Sequence, residues 1–92
     1  MLRVAMSKIS EFSGLRIYVY PREHGTPHIH IFYGGHQAFS IDIVGNRMAG
    51  ENKLTKPLNK MLTKWRRLRR QELLGAWAAM MEGRTPPMVP PP

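Results

Sequence analysis

The chain has no cysteine, so it can build neither a disulfide framework nor a thiolate metal site. Acidic residues are scarce: 6 Asp and Glu stand against 14 Lys and Arg, a formal charge of +8. No acid falls between Lys53 and Arg70, where eight basic residues are concentrated. Such an imbalance favours polyanionic partners, nucleic acid first, then anionic lipid or an acidic protein. Long apolar runs are also missing. None approaches the roughly 20 residues that cross a bilayer. The segment Met1-Leu-Arg-Val-Ala-Met6 lacks the apolar core of a secretory signal. The expectation is a cytoplasmic protein with no membrane partner. Ninety-two residues suffice for one domain with a modest core, to which oligomerisation commonly adds.

What is present divides into a strand-patterned half and a helix-patterned half. Residues 1–14 read as an N-terminal arm. Leu15 to Tyr20 alternates and is rich in β-branched and aromatic side chains, the pattern of a strand. Pro21 to Pro27 reads as a loop, His28 to Tyr33 as a second strand and Ala38 to Val44 as a third. Gly45-Asn46 signals a turn into a short fourth strand over 47–51. From Thr55 the period becomes helical. Thr55 is the expected cap, and Pro57 sits in the first turn, where its missing N–H costs nothing. Leu54, Leu58, Met61, Leu62, Trp65 and Leu68 share one face. The stripe of Leu73, Leu74, Trp77, Met80 and Met81 is rotated by roughly 120° against it. Two helices are therefore expected, with a break near Arg69 to Gln71 and an end at Gly83. The expected architecture is α+β: a three- to four-stranded antiparallel sheet followed by two C-terminal helices packed on one face. Residues 1–85 form that domain, with 1–5 as an N-terminal extension, and 86–92 form a Pro-rich flexible tail.

Register decides where the histidines point. Ile29, Ile31 and Tyr33 alternate with His28, His30 and Phe32; Phe39, Ile41 and Ile43 alternate with Ala38, Ser40 and Asp42. Residues opposite each other in a hairpin share a face. A two-residue turn at Gly34-Gly35 would set Ile29 against Ser40. A three-residue loop, Gly34-Gly35-His36, sets Ile29 against Ile41 and His28 against Asp42, so burial selects it. His28, His30, Asp42, Arg16, Tyr18 and Tyr20 then share the outer face, and the helices cover the aliphatic one.

Two histidines at i and i+2 on a strand project side by side. Four readings fit them. They bind a divalent transition metal with His24 or Asp42 as a third ligand. They act as general acid and base, with Asp42 orienting His28. Or they serve a protein interface, or merely a half-exposed strand. Lys56, Lys60, Lys64, Arg67 and Arg70 fall opposite the apolar face of the first helix and could clamp phosphates; a solvated face is the plainer alternative. Trp65 and Trp77 read as core or subunit-interface anchors.

The string Ile9-Ser10, Phe12, Gly14, Tyr20, His24, Pro27-His28-x-His30, Tyr33-Gly34, Ser40-Ile41-Asp42, Gly50, Leu54, Pro57, Trp65, Glu72-Leu73 and Trp77 resembles a bacterial domain of unknown function, family 4160. The likeness spans about residues 6 to 83 and is most specific from His24 to Gly34. Thr26 stands where a second proline is usual, and Arg69 where the family helix often has His. The resemblance implies a start at a position like Met6 and a role in small two-gene modules of toxin–antitoxin type. The leading expectation is thus a nucleic-acid-associated component of a toxin–antitoxin-like pair, with a small cognate partner protein. Binding would fall to the basic helix and any catalysis to His28, His30 and Asp42. The alternatives are a non-catalytic interaction module or homodimer using the outer sheet face, and a metal-binding protein or enzyme built on His24, His28 and His30. No cofactor is required by the sequence, although a divalent transition metal would suit the histidines.

Overall fold

Alternation of apolar residues produces five strands, not three or four, in the computed structural model, which describes residues 5–92. They are β1 (Ser7–Phe12), β2 (Leu15–Val19), β3 (His28–Tyr33), β4 (His36–Asp42) and β5 (Met48–Gly50). Each pairs antiparallel with the next, in the order β1-β2-β3-β4-β5. The additional strand is β1, from the segment read as an arm. Its apolar content is low because it is an edge strand, yet Ile9 is fully buried. Ser13 and Gly14, both at positive φ (52° and 79°), close a tight hairpin into β2. The expected extension over 1–5 lies almost wholly outside the described residues.

The β3–β4 register is as the burial argument requires: Ile29 faces Ile41, Ile31 faces Phe39 and His28 faces Asp42. The route to it differs. The loop has two residues, Gly34 and Gly35, at φ 66° and 91°, the signs a type I′ turn demands, and His36 already pairs with Tyr33. The odd residue is absorbed inside β4, where a bulge leaves Ala38 extra between the Phe32–Gln37 and Ile31–Phe39 pairs. A bulge shifts the pleat by one residue just as a longer loop would. The faces are preserved and the turn keeps the twist that suits a hairpin.

Helices α1 (Lys56–Leu68) and α2 (Arg70–Met81) cover the aliphatic face. The Thr55 hydroxyl accepts from the Leu58 N–H and caps α1. The break falls at Arg69, which sits outside helical geometry (φ −103°, ψ 23°) between the two rotated stripes. At the end of α2, Gly83 takes φ 75° while the Arg84 N–H reaches back to the Ala79 carbonyl, a Schellman closure. One apolar cluster joins Ile9, Ile17, Ile29, Ile31, Phe39 and Ile41 to Leu62, Trp65, Leu73 and Trp77. Leu68, placed on the buried stripe by periodicity, is instead 67% exposed, because it lies at the last turn of α1, beyond the sheet-covered part.

The Pro-rich segment takes no regular secondary structure, but it makes contacts that a free tail would not. Val89 is 1% exposed, its N–H donates to the Ile9 carbonyl, and the Trp65 indole Nε1–H donates to the Pro90 carbonyl at 2.7 Å. The segment thus lies along part of the β1 edge, with which no other described strand pairs. No described helix is long and apolar enough to cross a membrane.

Candidate functional site

The period of β3 sets His28 and His30 on the face opposite the aliphatic core. His30 is nevertheless 9% exposed. Tyr20, beyond the end of β2, lies over its ring (centroids 3.9 Å apart, 31° between planes), and Trp77 of α2 meets the His28 ring at 4.9 Å. The two imidazoles are 5.2 Å apart, edge to face. Thus His30 is covered by the Tyr20 ring and by the loop that precedes β3, while His28 reaches Trp77, a member of the core cluster.

That loop supplies a residue the sequence did not point to. Pro21 pre-sets φ for a turn, and Arg22 follows at φ 58°, the left-handed conformation that position i+2 of a type II turn requires. The chain reverses and brings Glu23 over the histidines. Glu23 Oε1 lies 2.5 Å from His30 Nε2 and 3.2 Å from His28 Nε2. The opposite nitrogen of His28, Nδ1, lies 2.9 Å from the Thr26 carbonyl oxygen. A carbonyl oxygen only accepts, so Nδ1 must carry a proton. Both His28 nitrogens therefore face acceptors, a carbonyl on one side and a carboxylate on the other. Partial burial pushes the Glu23 carboxyl up. Hydrogen bonds from His30 and His28 outweigh that burial and hold it below the ordinary carboxylate range. Burial, with help from the Glu23 charge, pushes the Tyr20 hydroxyl up. His30 Nδ1 is buried with no hydrogen-bond partner among the described residues.

The residues named from sequence are therefore partly regrouped. His28 and His30 come together as expected. His24 does not join them; it is exposed on the rim of the adjacent cleft, because the turn that presents Glu23 points its neighbour away. Asp42 faces His28 across the ladder but does not orient its ring. Its carboxylate accepts instead from the Thr26 hydroxyl at 3.1 Å and lies 3.5 Å from Arg47 Nε. The orienting carboxylate is Glu23. Beside the cluster is a cleft of about 250 Å³ lined by His24, Thr26, His28, Ser40, Asp42 and Arg47 among others.

On α1, Lys56, Lys60, Lys64, Arg67 and, just past the break, Arg70 are all exposed. Among the described residues none of the five forms an ion pair with a carboxylate; the pairs nearby are Lys53–Glu51 and Arg69–Glu72. Arg66, in the middle of the same run, behaves differently. It is 5% exposed, and its guanidinium donates to the Asp42 and Gly45 carbonyls (both 2.8 Å) and to the Asn46 side-chain oxygen (3.2 Å). Burial pulls its pKa below the ordinary arginine value. It pins the 43–47 turn to α1. On one side of that turn lies the histidine cleft; on the other, Arg67 and Arg70 border a polar cleft of about 210 Å³ with Gly45 and Asn46.

Neither the curated proteins nor the solved structures contain a significant match to the chain. The model of the family described as Domain of unknown function (DUF4160) matches residues 14–78, from the first hairpin glycine through both histidines, Glu23 and most of α2, and the chain belongs to that family.

Proposed function

We propose that the protein binds nucleic acid through the exposed cationic face of α1, as one component of a toxin–antitoxin-like pair of the kind the family resemblance implies. The observation that carries this reading is the set of five exposed cations on α1 and its boundary with α2, none paired to a carboxylate among the described residues. Solvated helices ordinarily mix charge signs; a face of one sign is an electrostatic footprint for phosphates. The polar cleft beneath Arg67 and Arg70 offers backbone and amide groups beside the cations, which would favour a seated phosphate. The 43–47 turn separates that cleft from the histidines, so the cationic face is distinct from the Glu23–His28–His30 cluster. Fluorescence anisotropy with labelled single-stranded RNA and duplex DNA tests the proposal. Binding of either in the non-specific range or tighter is expected. No binding below about 100 μM at about 50 mM salt would overturn it.

A second reading, a protein-docking module, is favoured by the edge strand β5. All three of its residues are exposed, and Met48 within it and Val44 in the turn before it are large apolar surface residues. Light scattering on the purified chain tests self-association through that edge. A monomer at all concentrations would remove the homodimer version.

A further inference from the structure

We propose that Glu23, His28 and His30 form a three-ligand site for a divalent transition metal of the zinc, cobalt and nickel group, with one side left open to water or substrate. The ligand atoms of these three residues all lie within 4.8 Å of one another. Tetrahedral bonds of about 2.0–2.1 Å place donor atoms about 3.3 Å apart. The His28–Glu23 separation of 3.2 Å already meets that spacing. The His30–Glu23 separation of 2.5 Å needs the carboxylate to withdraw by under about 1 Å, within reach of a Glu side-chain rotation.

The hydrogen bonding of His28 is the second observation. Its Nδ1–H is committed to the Thr26 carbonyl, the arrangement that fixes the tautomer and ring orientation of metal-binding histidines. In the neutral ring Nε2 then carries a lone pair, and that lone pair faces a carboxylate oxygen. Two acceptors facing each other require a cation between them. A proton on Nε2 is one solution and a metal ion is the other, and His30 converging on the same carboxylate oxygen adds a third donor to the same point. The surroundings suit a metal: His30 is held under the Tyr20 ring and His28 against Trp77, so neither imidazole has to be ordered on binding. Two imidazoles and a carboxylate are a borderline donor set, matched to zinc, cobalt or nickel and not to copper(I) or calcium. Three protein ligands leave a coordination position open, and the side chains of Glu23 and His28 are 25% and 17% exposed.

The test uses the untagged full chain after chelator treatment, titrated with cobalt(II) and zinc(II) at about pH 7.5. One equivalent of cobalt per chain should give visible absorption of four- or five-coordinate geometry, displaced by zinc. Glu23→Gln, isosteric and on a partly exposed loop, should weaken binding about tenfold or more. His30→Ala should abolish it, and His24→Ala should leave it within about twofold. Circular dichroism shows that each variant is folded. No visible spectrum and no heat at about 1 mM metal would overturn the site and identify the shared cation as a proton. An equal loss with His24→Ala would overturn the ligand set. Because the phosphate-binding face is separate, Glu23→Gln should leave nucleic-acid affinity unchanged, so failure of either proposal is visible independently.

Discussion

Arg66 and Arg67 are neighbours in one basic run, yet the structure gives them opposite roles, and replacing each by Met separates them. Arg66 is 5% exposed and makes three hydrogen bonds, two of them to main-chain carbonyls of the 42–45 segment. Hydrogen bonds from a charged donor contribute about 1.5–3 kcal/mol each, and an abandoned buried carbonyl costs about 1–3 kcal/mol. Against this, Met frees the protein from burying a guanidinium whose Nε has no partner among the described residues, a cost visible in its lowered pKa. The net loss for Arg66→Met is about 3 kcal/mol, in the range found when one member of a buried polar set is removed. For a domain of this size that lowers Tm by about 12–20 °C. Arg67→Met, on the exposed side, should stay within about 0.5 kcal/mol and instead weaken nucleic-acid binding. Urea denaturation followed by tryptophan emission measures both. If Arg66→Met unfolds at the same urea concentration as Arg67→Met, the assignment of Arg66 to structure is wrong.

Three further outcomes are expected. Gly50 has φ 97°, and a Cβ there would stand 3.0 Å from the Ala38 carbonyl oxygen and the Phe39 Cα; Gly50→Ala should cost about 2 kcal/mol or more by thermal melting. Val89→Asp exchanges a fully buried side chain for a charge and loosens the strap over Trp65, so stability should fall by about 3 kcal/mol with a red shift of the Trp65 emission. Glu23 has a folded-state pKa below its unfolded value, so its contribution is present above the ordinary carboxylate value of 4.5 and disappears as pH falls through the depressed one. In chelator-treated protein, Glu23→Gln should flatten the stability–pH curve in that acid window, and an unchanged slope would show that the carboxylate is not held by the histidines.

Ile29, Ile31, Phe39 and Ile41 made the β3–β4 register legible, because a one-residue slip would send an aliphatic set into water. The bulge at Ala38 was not legible, since a longer loop and a bulge change the pleat by the same single residue. β1 escaped because an edge strand needs only one apolar face: Ile9 and Phe12 are too few to show a period, although Ser13-Gly14 carried the turn chemistry. The break at Arg69 was visible as a rotation between two apolar stripes. Within the candidate site, strand alternation placed His28 and His30 correctly. Glu23 lies in a loop with no period, and its position depends on Arg22 adopting a positive φ that a non-glycine residue rarely takes. Asp42 was favoured as the orienting carboxylate because cross-strand pairing is readable from sequence. Its recruitment by Thr26 and Arg47 is tertiary and is not.

The salt dependence of nucleic-acid binding by the wild type and by the Lys60→Gln/Lys64→Gln/Arg67→Gln triple variant shows whether the cationic face of α1 contacts phosphates. Each phosphate contact releases counterion, so log affinity falls by about 0.7–0.9 per contact for each unit of log salt. The three side chains are exposed and away from the core, so the variant should fold like the wild type. The expected result is a salt slope shallower by about two to three units, with affinity reduced alike for every sequence tested. Identical slopes for the two proteins would contradict the account and place any nucleic-acid contact elsewhere on the molecule.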